Sequence, residues 1–199
     1  MMVKEKTMRE VILKAAEKVF SKYGFYKAKM YKIAELAGIS VGTMYRFFKS
    51  KEELYSEVLK SKLANLEAQV KNNIKRKEPE EALMAYISTV VDFFEREKDF
   101  LKIFIRDFGG FPVSELEEER FKLSQWYQNY IEELSKIVKT GIEKGIFKEY
   151  EPLEVILIIS GAMKNLIYAK TKGMIKTSPD KIKGMLYQIF ISGIKKNKH

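Results

Sequence analysis

The chain has 199 residues, 46% hydrophobic and 32% charged, a balance that supports one or two folded domains with a sizeable core. It has no Cys, and its single His is the terminal His199. Disulfide scaffolds, zinc ribbons, iron–sulfur centres, thiol nucleophiles and histidine-based hydrolysis are thereby excluded, and we expect no enzyme, no cofactor and no metal site.

Apolar residues at Ile12, Ala15, Ala16, Val19 and Phe20 follow helical spacing, and Thr7 with Glu10 forms a capping-box pattern, predicting a first helix over 7–23 that stops at Gly24. Met30 to Ala37 is a short second helix with Ile33, Ala34 and Ala37 on one face, closed by Gly38. Ser40 is a good N-cap for a third helix over Val41 to Phe48, and Ser50 for a fourth beginning at Lys51. Long helical periods follow over 51–76, 79–97, 99–108, 114–144, 152–172 and 179–196, with Pro79 and Pro179 as first-turn prolines. No strand alternation appears, so the expected class is all-α: a three-helix unit over 1–51, then a larger helical domain over 52–199. The end, Lys195 to His199, is expected to be a disordered tail.

Charge is divided unevenly. Residues 1–51 hold 12 Lys and Arg against 4 acids, while the remainder is nearly neutral. A basic N-terminal module on a neutral body points to a polyanion, either nucleic acid or an anionic membrane surface. The N-terminus lacks the apolar core of a secretory signal, which gives an expected cytoplasmic location. The apolar stretch Leu153 to Ala169 is interrupted by Glu154, Lys164 and Asn165, and is expected to be a buried helix, not a membrane span.

Two short helices joined through Ala37-Gly38-Ile39-Ser40 fit a helix-turn-helix, whose second helix presents its N-terminal residues to the DNA major groove. Gly42 permits close backbone approach to a phosphate, Ser40 and Thr43 offer hydroxyls, and Tyr45 adds a phenol. Lys49 and Lys51 reach flanking backbone, and Arg46 has the guanidinium suited to a bidentate contact.

The run from Ile33 to Leu54, Ile-Ala-Glu-Leu-Ala-Gly-Ile-Ser-Val-Gly-Thr-Met-Tyr-Arg-Phe-Phe-Lys-Ser-Lys-Glu-Glu-Leu, preceded by Gly24-Phe25-Tyr26, closely resembles the N-terminal domain of the TetR family of bacterial transcriptional regulators. The resemblance implies a dimeric repressor on a palindromic double-stranded operator. It also implies that Val41, Thr43 and Met44 meet base edges, that Tyr45 and Lys51 hold phosphate, and that Ser40 and Gly42 shape the approach. Where the family usually has a small polar residue at the start of helix 2, this chain has Lys29 and Met30, so a phosphate contact passes to the Lys29 ammonium. Phe47 replaces a His or Tyr and is expected to pack or to meet a sugar or thymine methyl.

The same resemblance implies that the body binds a small-molecule effector and forms a homodimer through its last two helices. Residues suited to an apolar pocket are Phe93, Phe104, Trp126, Tyr127, Tyr130, Met163 and Tyr168, with Phe94, Phe100 and Phe108 nearby in sequence. Arg106 or Lys164 would suit an anionic head group. Glu117-Glu118-Glu119 and Glu132-Glu133 have no histidine partners and are expected to be solvated faces, not a di-metal site. The competing reading is a basic helical protein binding nucleic acid nonspecifically or an anionic membrane.

Overall fold

The computed structural model of the chain describes residues 2–108 and 117–196, with side chains over 7–105 and 124–196. The glycine-rich break at 109–112, the expected head-group residue Arg106, Phe108, the acidic run 117–119 and His199 with most of its tail lie outside the described backbone or side chains.

Nine helices carry the described residues: α1 (Met2–Lys27), α2 (Met30–Ala37), α3 (Val41–Phe47), α4 (Lys51–Ile74), α5 (Pro79–Arg96), α6 (Lys98–Phe108), α7 (Glu117–Glu143), α8 (Pro152–Thr171) and α9 (Pro179–Leu186). The last continues through a π-helical turn, Tyr187–Ile191, into Ser192–Ile194. The only strand-like pairing among the described residues is an isolated antiparallel bridge between Phe147 and Lys195. The fold is all-α.

Two expectations are corrected. Helix α1 runs through Thr7 from Met2, so Thr7 with Glu10 is not its start, while its expected stop at Gly24 is present as a kink with φ 75° and ψ 167°. The expected straight final helix is widened at Tyr187–Ile191, which places Ile191, five residues after Leu186, in the core and leaves Ile189 outward.

The described chain forms two compact units, residues 1–64 with 97–119 and residues 65–96 with 120–199. In the first, Ile12, Ala16 and Phe20 of α1, Ile33 and Ala34 of α2, Met44 of α3, Phe48, and Leu54, Tyr55 and Val58 of α4 make the core. Phe20 and Phe25 meet the Tyr55 ring edge-on at 4.9 and 5.1 Å. Helix α6 packs on α1, and Ser21 Oγ donates to Asp99 at 2.9 Å. Lys62 of α4 bridges Glu17 of α1, at 3.0 Å, and Glu97 at the head of α6. Burial, only partly offset by Lys62, holds the Glu17 carboxyl above its usual range.

In the second unit α5 packs against α8 and α9, burying Leu83, Ile87, Val90 and Phe93 with Ile156, Ile159 and Met163 of α8 and Ile182 and Leu186 of α9. Lys183 pairs with Asp92 at 2.6 Å and Lys170 with Glu95 at 2.9 Å along the rim of α5. Gly141 of α7 gives way to Phe147: a Cβ there would lie 2.1 Å from the Phe147 ring, so only glycine lets that buried ring seat on the helix. Helix α8 is long and apolar enough to cross a bilayer by length and composition, but it is one-sided. Val155, Ile156, Ile159, Met163 and Ile167 turn inward while Leu153, Leu157, Ile158 and Tyr168 remain exposed.

Candidate nucleic-acid interface and aromatic cluster

Local chemistry fixes the turn between α2 and α3. Gly38 caps α2 in the left-handed conformation at φ 69°, which costs an L-residue with a Cβ, and its N–H and that of Ile39 return to Glu35 and Ala34 carbonyls at 3.1 and 3.0 Å. Two residues later Ser40 starts α3, its Oγ accepting from the Thr43 N–H at 3.0 Å and lying 2.9 Å from the Thr43 hydroxyl. Ser50 caps α4 through the Glu53 N–H at 3.1 Å, and Glu53 accepts from the Lys49 N–H at 2.7 Å, a reciprocal cap that fixes the exit from α3.

Helix α3 therefore presents a defined outer face. Val41 is 41% and Tyr45 48% exposed, and Ser40, Gly42, Arg46 and Lys49 are open as well, with Thr43 half-buried. A Cβ at Gly42 would meet nothing closer than Ser40 Oγ at 3.9 Å, so nothing within the chain requires glycine there. The open space suits close approach by an external backbone. Lys51 is held by its own domain, its ammonium 4.4 Å from the Phe25 ring centroid and 3.5 Å from the Tyr26 carbonyl. Lys29 is exposed at the head of α2, which no side chain caps.

Met44 is 0% exposed and packs in the three-helix core. A side chain without accessible surface does not meet a base edge, so its expected reading role is withdrawn. Met30 is likewise buried on the inner face of α2, so its side chain packs in the core. Phe47 is half-buried, while Phe48 beneath it is enclosed, with the Arg9 guanidinium 4.5 Å over its ring. The sequence reading omitted three exposed tyrosines of this unit, Tyr23, Tyr26 and Tyr31, and the Lys22 and Lys32 ammonium groups that lie 5.2 and 4.9 Å over the Tyr23 ring. The signal for them was the excess of lysine beside aromatics in 22–32.

Residues 12–58 match the family model described as bacterial regulatory proteins, tetR family, and the match spans the helices that make this interface. The chain belongs to the TetR family. Its relatives include the HTH-type transcriptional regulator YhgD of Bacillus subtilis, 27% identical over 192 residues that cover 95% of this chain and 97% of the relative. A fatty acid metabolism regulator protein of the same species is 28% identical over 144 residues, 69% of this chain and 70% of that protein. Among solved structures, the regulator FadR from Bacillus subtilis in complex with stearoyl-CoA superposes with a TM-score of 0.82 at 23% identity, covering 93% of this chain and 98% of that one. As a TetR-family member the chain is a DNA-binding transcriptional regulator and not an enzyme.

The expected pocket residues of this TetR-family protein fall into separate places. Trp126, Tyr127 and Tyr130 come together on α7. The Trp126 and Tyr130 rings stack at 5.2 Å and 10°, and Tyr86 of α5 approaches Tyr130 at 6.4 Å. Phe93 and Met163 are enclosed in the core of the same unit, Phe93 edge-on to Phe94 at 5.4 Å. Tyr168 lies on the exposed side of α8 with the Lys172 ammonium 5.8 Å from its ring. Phe104 belongs to the first unit, beside Phe100 at 5.9 Å. Lys164 is exposed on α8.

Polar groups in the aromatic cluster are nearly all matched. Trp126 Nε1–H donates to Glu67 at 2.9 Å, and the Tyr86 and Ser160 hydroxyls share a buried hydrogen bond of 2.8 Å. The Lys71 ammonium, 2.6 Å away, with help from the indole N–H and against the effect of burial, holds the Glu67 carboxyl below its usual range. Tyr130 is the exception. Its residue is 8% exposed, and its hydroxyl is buried with no hydrogen-bond partner, a state that costs about 1–3 kcal/mol. Burial, with Tyr86, Glu67 and Tyr127 nearby, pushes its ionisation far up, so it stays a neutral phenol. Neither Glu67 nor Ser160 was among the expected residues, because both arrive from helices distant in sequence. Also unforeseen is a polar groove of about 270 Å³ in this unit, lined by Gln69, Asn73, Lys77, Ser88, Asp92 and Arg96 among others.

Proposed function

We propose that the chain is a cytoplasmic homodimeric repressor that binds a palindromic operator and is released by a hydrophobic small molecule. In this reading residues 1–51 read DNA, and residues 52–199 bind the effector and dimerise. The observation that carries it is the outward face of α3, a capped helix whose exposed Val41, Tyr45 and Arg46 and open Gly42 have no structural duty inside the chain. Thr43 and Val41 meet base edges, Arg46 supplies the strongest single base contact, and Tyr45, Lys29, Lys49 and Lys51 hold phosphates.

Dimerisation is supported by the apolar outer faces of the last two helices. Leu153, Leu157 and Ile158 of α8, Met185 of α9 and Ile189 of the π-helical turn that continues it are exposed, with Ile158 at 56%, which is the material of a helix-to-helix interface. Two recognition helices roughly 34–36 Å apart would enter successive major grooves, and an effector that favours another separation would release the DNA. The effector reading draws on the aromatic cluster of the second unit, and the relatives named for fatty acid metabolism and stearoyl-CoA make a molecule with a long apolar chain the first to try.

Light scattering and duplex titration of the protein and of Ile158→Glu test the arrangement together. We expect the protein to be a dimer that binds an inverted repeat cooperatively, and Ile158→Glu to be a folded monomer that binds it more weakly and without cooperativity. An Ile158→Glu protein that remains dimeric and binds normally contradicts the assigned interface.

A further inference from the structure

Resting on the reading of the aromatic cluster as the effector site, we infer that Tyr130 is the polar contact of that site and selects a neutral carbonyl compound, an ester, thioester, amide or ketone on an apolar body, over a free carboxylic acid.

The inference follows from what each polar atom in the cluster already does. The Trp126 N–H is engaged by Glu67, and the Tyr86 and Ser160 hydroxyls share a hydrogen bond, so each of these groups already has a partner. The Tyr130 hydroxyl is enclosed without a partner. Tyr55, the other buried hydroxyl without a partner among the described residues, is 2% exposed and shut in by Phe20 and Phe25. Tyr130 differs because the rings around it lead outward: Trp126 is half-exposed and Tyr127 is 42% exposed. A ligand entering past those two rings gains stacking area from Trp126 and reaches a donor that has waited without an acceptor.

Charge sets the choice of acceptor. The Trp126 ring that stacks on Tyr130 at 5.2 Å donates its N–H to the Glu67 carboxylate at 2.9 Å, and Lys71 and the indole favour the ionised form of that carboxyl. The Lys71 ammonium beside that carboxylate is already committed to it at 2.6 Å. A carboxylate brought to Tyr130 would give up hydration beside the Glu67 carboxylate, while a neutral carbonyl oxygen accepts the phenol hydrogen with no charge to bury.

Trp126 is the only tryptophan, so its emission reports on this cluster directly in the full-length protein. The probes are methyl decanoate and decanoate, which share one chain and differ in charge. We expect methyl decanoate to shift Trp126 emission with at least tenfold tighter apparent affinity than decanoate at neutral pH. Tyr130→Phe, which removes a hydroxyl that makes no bond and so keeps the fold, is expected to weaken the ester about tenfold, equivalent to about 1.4 kcal/mol, and to leave decanoate unchanged. Glu67→Gln should narrow the gap between the probes by improving decanoate. Equal or tighter binding of decanoate, or an ester affinity that Tyr130→Phe does not alter, overturns the inference while leaving the cluster as effector site. Emission that responds to neither probe overturns that site assignment and this inference with it.

Discussion

The outer face of α3 and the interior of the aromatic cluster use similar residues to opposite ends. On α3 the polar side chains are outside and the helix end is satisfied by its own Ser40, so Val41, Tyr45 and Arg46 are presented at no cost to the fold. In the cluster the polar atoms are inside and matched in pairs, and a single hydroxyl is left over. In the proposed account, recognition of a large partner is built on exposed surplus, and recognition of a small one on a buried deficit. Truncation of the exposed side chains at the first should change binding with little change in stability. At the second, the buried polar pairs tie stability to the same groups.

The largest effect that would break this contrast is at Met44. It lies on α3 yet is fully buried, so Met44→Ala should cost about 3 kcal/mol of stability in denaturant unfolding. Val41→Ala, one turn away but exposed, should leave stability nearly unchanged and lower operator affinity. A stable Met44→Ala protein with altered base preference would return Met44 to the reading face.

Next in size is the acid response of Glu67. Because its carboxyl titrates below the ordinary value of 4.5, its contribution to stability is complete above that pH and is lost as pH falls through the lowered value. Thermal melts between about pH 3 and 6 should show a steeper acid loss for the protein than for Glu67→Gln, accompanied by a change in Trp126 emission. Identical acid limbs would mean that the Lys71 and Trp126 contacts do not persist in solution.

Smaller effects sharpen the comparison. Gly42→Ala has room for its methyl and should raise stability by up to about 1 kcal/mol while weakening every duplex, since the methyl meets the approaching backbone. Tyr55→Phe removes a buried hydroxyl without a partner and should be neutral or stabilising by about 1 kcal/mol with no change in any binding. Loss of effector response in Tyr55→Phe would contradict the distinction drawn between it and Tyr130.

How much of this was legible in the sequence depended on how local the cause is. The limits of α2 and α3 follow from Gly38 and Ser40, which act within four residues, and the structure keeps the start of each where the sequence puts it. The facing of Met44 was missed because α3 has only seven residues, too few for a periodic stripe to define an inner side. Met30, at the first position of α2, was read from its place in the motif and not from its packing. Trp126 and Tyr130, both pocket candidates in the sequence, lie four apart on one helix and their rings stack, whereas Glu67 and Ser160 reach the cluster through tertiary packing that no spacing reveals. Phe104 is a pocket candidate in the sequence as an aromatic of the middle helices, but α6 packs on α1. The widened turn at Tyr187–Ile191 likewise answers to the core position of Ile191 and not to any local signal.

The most direct measurement is selection of bound duplexes from a random DNA pool by the purified protein, at near-physiological salt with competitor DNA present. The account predicts recovery of one inverted repeat whose half-sites lie about one helical turn apart or a multiple of it, with Arg46→Ala relaxing a single position in each half. Recovery of no consensus, with binding lost steeply as salt rises, would contradict it and reduce the basic N-terminal unit to general attraction for polyanions.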